Sequence, residues 1–265
     1  MKLLFSEAKP DYKNYVFPYA VWAVPEAGES PELFFDRGFL PSSRELDRFY
    51  LCRSVRVVLP GIKPTSENRR ILRKCGSISC RLVPRREFDF DDSWQDFCLT
   101  YADIKFGKNV MTVPRLQTLV KSKLTTHFLV FHDDQSHREV GVVTLFLQPP
   151  HLAQYYYAFY DLAYYRRNLG MYMMTTAVFV LAEAGLNNLY LGSCYSRNAL
   201  YKTQFAGAQF FNGVNWCNRL AELKFLIARD ETLPKEHLLE SDYVHRFYDG
   251  KLGELIDRSV FALRG

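Results

Sequence analysis

The segment from Thr126 to Trp216 constrains the fold most, because its apolar pattern changes period in a fixed order. THFLVF (126–131) and EVGVVTLFLQ (139–148) are β-rich runs around a polar turn holding Asp133 and Asp134, which predicts a hairpin. A third strand is expected at about residues 153–160. After Gly170, MYMMTTAVFVLAEAGL predicts a mostly buried helix ending near Gly185, and NNLYLGSC predicts a buried strand. SRNALYKTQF then reads as a helix and AQFFNGVNW as containing a short strand. The result is an α/β chain whose third strand leads, through an arginine-glycine turn, into its most apolar helix.

At 265 residues the chain can bury one large core or two modest ones, and 48% hydrophobic with 24% charged residues excludes a disordered class. Residues 1 to about 90 read as short strands and turns with one helix, in PTSENRRILRKCG, where Ser66 is expected to cap and Gly76 to close. The acidic DFDD patch, Asp89 to Asp92, then precedes SWQDFCLTYADIKFG, another expected helix, so a boundary is placed near residue 90. This gives a basic N-terminal domain over 1–90 and a second domain over 91–265.

The net charge of +5 is mild, but its distribution is not. Ten Lys or Arg residues lie between Arg53 and Arg86 against one acid, Glu67, a pattern that can follow a polyanion. Within it Arg69, Arg70, Arg73 and Lys74 fall within two helical turns, either as a solvated face or as a phosphate-binding one. MKLLFSE is too short in apolar run for a signal core, and the uncharged stretch from Asn168 to Ala182 has 15 residues, below the ~18 a bilayer demands. A cytoplasmic protein without membrane contact is expected. Six cysteines show no CxxC pair and six histidines no HxxxH spacing, so neither a local metal site nor any other cofactor is expected.

FYDLAYYRRNLGMY (159–172) poses the functional question. A glycine turn at a helix start offers unpaired amides to an anion, and Arg167-x-x-Gly170-x-Tyr172 nearly has the spacing of a phosphate-cradling loop. The bulky Tyr172 stands where such a loop places a small residue. Strand meander, arginine-glycine turn, helix and strand is also the order of the Gcn5-related acyltransferase fold. The expected class is therefore α/β with a Gcn5-related N-acyltransferase-like core and a smaller α+β N-terminal domain.

Together with LNNLYLGSCYSRNALYKTQFAGAQ, this stretch resembles the arginyl- and leucyl-tRNA protein transferases, which attach an amino acid to protein N-termini. In that family a YD pair precedes an SLGxY-like turn, and a YLGY strand leads into KMxYKxxFxPxE. The matching positions are Tyr160, Asp161, Leu169, Gly170, Tyr172, Tyr190, Leu191, Gly192, Tyr201, Lys202 and Phe205. ELFFDRGFLPSS, RFYLCRSVRV and NRRILRK resemble the family's N-terminal half in the same order, so the likeness covers most of residues 30–215. Three departures stand out. Of the family's N-terminal cysteines only Cys52 is kept; its proline and glutamate after YK fall at Gly207 and Gln209; and Leu162 replaces the proline that often follows YD.

The resemblance implies aminoacyl-tRNA as donor and a protein or peptide N-terminus as acceptor, in the N-end rule pathway of protein degradation. An aminoacyl ester is already activated, so alignment and a neutral amine supply most of the rate. Asp161 either holds and deprotonates the acceptor's α-ammonium or caps the turn that follows it. Tyr201 occupies the place where related acyltransferases carry a phenol that protonates the leaving group, and otherwise is a half-buried helix aromatic. Tyr160, Arg167, Gly170, Tyr172, Lys202 and Gln209 are the expected substrate-binding set, with Lys202 near the terminal phosphates or adenosine. Arg69, Arg70, Arg73 and Lys74 are the expected tRNA contacts. Two other classes remain open: a coenzyme A-dependent N-acyltransferase on the same core, and a non-catalytic relative that binds RNA or an N-terminal degradation signal.

Overall fold

A computed structural model describes residues 1–232 and 236–261. The elements run β1 (Lys2–Glu7), β2 (Tyr19–Val24), α1 (Pro31–Asp36), β3 (Phe39–Pro41), β4 (Phe49–Leu51), β5 (Ser54–Val58), α2 (Ser66–Lys74) and β6 (Ile78–Pro84). They continue with α3 (Asp92–Lys105), α4 (Val113–Lys121), β7 (His127–Asp133), β8 (Arg138–Gln148), β9 (Leu152–Tyr160), α5 (Leu169–Glu183) and β10 (Asn188–Ser193). β11 (Ala208–Phe211), β12 (Trp216–Cys217), α6 (Leu220–Asp230), α7 (Tyr243–Tyr248) and α8 (Leu252–Arg258) complete the series, with 3-10 turns at Leu162–Arg167 and Arg197–Thr203. The segment around Tyr201 is thus helical as expected, in the tighter 3-10 form.

The chain forms two compact units, one of residues 1–56, 193–203 and the described part of 208–265, the other of residues 57–192 and 204–207. A cut near residue 90 falls inside the second unit, between β6 and α3, because β6 is hydrogen-bonded along its length to β7. The first unit instead gathers early and late segments of the described chain.

In the second unit β6, β7, β8 and β9 form an antiparallel ladder, and β10 joins β9 in parallel after the α5 crossover. Alternation along β7 sorts its side chains. Phe128 and Val130 pack with Cys98 and Ala102 of α3 and with Leu116 and Leu119 of α4. Phe131 points the other way and meets the Tyr172 ring of α5 with centroids 6.1 Å apart. Both faces of the ladder are therefore covered, which is why β7 and β8 read as unbroken apolar runs. One strand, two helices, three antiparallel strands, a helix and a parallel strand make this an α/β fold with the order of the Gcn5-related acyltransferase core.

Local chemistry sets the ends of the helices. Thr65, not Ser66, caps α2, in a reciprocal capping box with Asn68, and Cys75 rather than Gly76 closes it. Gly185, at φ +79°, follows α5 in the left-handed region that a Cβ disfavours. In the first unit β1, β2, β4 and β3 form a second sheet, and Ser30 caps α1 so that Phe34 stacks on Phe49 at 4.3 Å. The Trp216 indole donates to the Asp36 carbonyl (2.8 Å), and Phe211 fills the space where a Cβ on Gly38 would stand. No helix among the described residues is long and apolar enough to cross a membrane.

Candidate functional site

β9 ends at Tyr160, and the Asp161 amide still donates to the Val140 carbonyl of β8 (2.9 Å), so the backbone that presents this carboxylate is held by the sheet. Asp161 Oδ1 accepts from the Ala163 amide (2.9 Å), which caps the 3-10 turn, while Oδ2 accepts from Arg138 Nη2 (3.1 Å). The cap reading is correct as local structure. It leaves the second oxygen on a guanidinium that is itself 66% exposed, an ion pair of the kind worth at most about 1 kcal/mol and so readily exchanged for another cation.

The turn after Asp161 is clamped from below. Asp133, at the end of β7, is buried and accepts from the Tyr164 phenol (2.6 Å), Ser77 Oγ (3.0 Å), Ser136 Oγ (3.1 Å) and the Gln135 amide (3.3 Å). The Tyr164 phenol first, and then the Ser77 hydroxyl, hold the Asp133 carboxyl down at about 2, against burial, which works the other way. Arg167 lies over the Tyr164 ring, donates to Ser77 Oγ (2.9 Å) and stands 4.0 Å from Asp133. Its side chain is thus tied to the ends of β6 and β7. The sequence shows Asp133 only as a turn residue; no periodicity marks it as the hub of this clamp.

Gly170 sits in the first turn of α5, after the left-handed Asn168 (φ 62°). The Tyr160 ring lies against it, only 2.9 Å from where a Cβ would stand, and packs at a tilt on Tyr101 with centroids 4.8 Å apart. Tyr172, by contrast, is turned into the core, and its hydroxyl donates to the Ile78 carbonyl of β6. Burial pushes that phenol's pKa up. Tyr172 therefore does not crowd the turn, and Tyr160 does. Of the other aromatics here, Phe159 is core, whereas Tyr165 is 63% exposed and carries Lys105 Nζ over its ring at 4.6 Å.

The basic helix adjoins this turn. Asn68 and Ile71 face inward, while Arg69, Arg70, Arg73 and Lys74 are all exposed. Arg70 is paired with Glu67, Nε to Oε2 at 2.6 Å, and Arg69 donates to the Pro64 carbonyl (2.7 Å). At the helix end the Cys75 thiol donates to the Arg167 carbonyl (3.3 Å). The structure thus brings Tyr160, Asp161, Arg167, Gly170 and the end of the cationic helix to one region of the second unit.

The remaining expected residues belong to the first unit. Tyr201 is 40% exposed on its 3-10 turn. Lys202 Nζ donates to the Ser193 carbonyl (2.7 Å), and burial pushes its ammonium pKa down, with the Cys194 and Cys52 thiols among the groups it feels. Gln209 Oε1 accepts from Arg56 Nε (2.9 Å), and that guanidinium lies 4.1 Å over the Trp216 ring. Among the described residues no group of His, Cys, Asp and Glu is arranged to hold a metal ion.

No family model matches the chain. It is 24% identical over 172 residues to an aspartate/glutamate leucyltransferase of Pseudomonas paraeruginosa, covering 62% of this chain and 70% of that one, and the same holds for such a protein of Pseudomonas aeruginosa. Among solved structures it is similar to the C-terminal domain of a lysylphosphatidylglycerol synthetase from Agrobacterium fabrum (TM-score 0.44, 13% identity, 54% of this chain and 46% of that one). A GCN5-related N-acetyltransferase from Sphaerobacter thermophilus gives a TM-score of 0.30 at 14% identity, covering 65% of this chain and 50% of that one. The alignments span about half the length of these two structures. By sequence, the chain is related to transferases.

Proposed function

We propose that the protein moves an amino acid from aminoacyl-tRNA to the N-terminal α-amine of a protein or peptide. The observation that carries the reading is the attachment of the exposed cationic helix, through Cys75 to Arg167, to the turn that begins at Asp161. In this reading a polyanion along α2 ends beside the turn capped by Asp161, whose second carboxylate oxygen is paired only with an exposed arginine. The relatives named above as leucyltransferases support the same chemistry.

In this reading the acceptor's α-ammonium takes the place of Arg138 beside Asp161 Oδ2, and the carboxylate receives its proton directly or through a water. The neutral amine attacks the ester carbonyl, the amide bond forms, the bond to the ribose 3′-oxygen breaks, and that oxygen leaves with the second proton that the nitrogen loses on becoming an amide. Fixing amine and ester in line supplies the larger part of the acceleration. Asp161 is fit for holding because its backbone is pinned to β8 and its other oxygen to the turn. The coenzyme A alternative is disfavoured by the Tyr160 ring packed on Gly170, which takes up the open face that a glycine would otherwise leave at this helix start.

The test incubates the pure protein with each labelled aminoacyl-tRNA and with peptides bearing acidic, basic or neutral N-termini. Incorporation into peptide from at least one charged tRNA is expected, with no turnover of acetyl-coenzyme A. Turnover of acetyl-coenzyme A without any transfer from tRNA would overturn the reading.

A further inference from the structure

We infer that the first unit carries a docking groove for an acidic peptide segment with aliphatic side chains, along the outer face of α6. The inward face of that helix, with Leu223 and Leu226, is buried, and Ile227, also buried, borders the groove. An ordinary surface helix is polar on the opposite side. Here Ala221, Lys224, Phe225 and Ala228 stand at i, i+3, i+4 and i+7 and line a cavity of about 580 Å³, with Leu200 of the 3-10 turn along one wall. Ala221 and Ala228 are exposed, and their small side chains let a partner's main chain come close.

Every charged residue lining the groove is a cation: Arg197, Lys224 and Arg246. Arg246 is held with its guanidinium 5.1 Å over Phe225 and 5.6 Å over Phe247. Arg197 is fixed by two bonds to Glu231 (2.9 and 3.0 Å) outside the lining. Lys224 has no hydrogen bond or ion pair among the described residues. Positive groups around an aliphatic floor match carboxylates alternating with leucine-like side chains, and electrostatic complementarity of this kind sets partner choice and association rate. The floor of Leu200, Ala221 and Ala228 offers aliphatic contact rather than a free stacking face for bases, because Arg246 already covers Phe225. That favours an acidic peptide over a nucleic acid. The inference is independent of the transfer reaction.

The test uses the full chain and a fluorescein-labelled peptide carrying leucines at helical spacing with glutamates between them. Fluorescence anisotropy is expected to show saturable binding that weakens as salt rises, and no binding when lysines replace the glutamates. Lys224→Glu, at an exposed residue without a partner among the described residues, is expected to weaken the peptide by about tenfold or more. Ala228→Trp, which fills the groove without altering charge, is expected to do the same, while Arg86→Glu on the second unit changes nothing. Equal binding by the parent and both groove variants overturns the proposal. So does a labelled single-stranded RNA that loses affinity in Lys224→Glu while the peptide never binds.

Discussion

Asp133→Asn removes one negative charge and almost no volume from the clamp beneath the turn, which makes its cost calculable. A carboxyl that titrates near 2 when folded and near 3.8 otherwise stabilises the fold by about 2 kcal/mol at neutral pH, at 1.36 kcal/mol per pH unit. Hydrogen bonds to a charged group, worth roughly 1.5–3 kcal/mol against 0.5–1.5 for a neutral one, give the same scale for the Tyr164 and Ser77 contacts. The sign follows from proton uptake. The unfolded chain binds the proton first, so the stabilisation is complete above about pH 4 and is lost as pH falls through about 2. Urea unfolding of the parent and of Asp133→Asn is therefore expected to show midpoints well apart at pH 7, and a gap that shrinks steadily below pH 4. A gap of equal size at pH 7 and pH 3 would refute the reasoning, since the asparagine would then act through shape alone. The same variant is expected to slow transfer more than it weakens tRNA binding, because the clamp sets the turn that Asp161 opens.

Gly207→Ala is expected to cost about 1–3 kcal/mol in urea unfolding, because its Cβ would stand 2.3 Å from the Val58 carbonyl oxygen; a neutral result would show that this pairing yields easily. Tyr172→Phe leaves the Ile78 carbonyl without its donor and is expected to lower stability by about 1–3 kcal/mol while tRNA affinity, measured by filter binding, stays unchanged. Asp161→Asn is expected to abolish transfer with tRNA affinity nearly intact, and transfer at the parent rate would remove Asp161 from the mechanism. Reversal of Arg69, Arg70 and Arg73 to glutamate is expected to do the opposite. It should also flatten the salt dependence of tRNA binding by about two to three on a log–log scale, since each phosphate contact contributes roughly 0.7–0.9.

The ladder from β7 to β10 and the α5 crossover were legible because burial on both faces writes itself into sequence as unbroken apolar runs of strand length and then helix length. Asp161 and Gly170 were legible through local pattern, a strand end and a helix start. What decides the behaviour of the turn was not. Ser77 and Asp133 are 56 positions apart and meet only because β6 and β7 pair, and Tyr164 and Arg167 reach them from a third element. The orientation of Tyr172 was hidden for a related reason: a tyrosine at a helix start can face turn or core, and only the Ile78 carbonyl on β6 selects the core. The compact units do not follow the charge boundary near Asp89 to Asp92, which is a surface property, because β6 on one side of it and α3 on the other pack on the same strands. The role of Gln209 likewise depends on Arg56, 153 positions away.

The joining of residues 1–56 with segments after residue 192 in the first unit has a consequence for synthesis. Residues 1–56 require partners from 208 onward, such as Phe211 beside Gly38 and Trp216 on Asp36, whereas nearly everything the second unit needs is already made by residue 192. At roughly 5–20 residues per second the early strands leave the ribosome about ten to thirty seconds ahead of those partners. During that interval β1, with Leu4 55% and Phe5 64% exposed even in the finished fold, is open to pairing with other nascent strands. Yield in cells should therefore respond to chaperone supply and to slowed translation after residue 192 more than to the equilibrium stability of the finished chain.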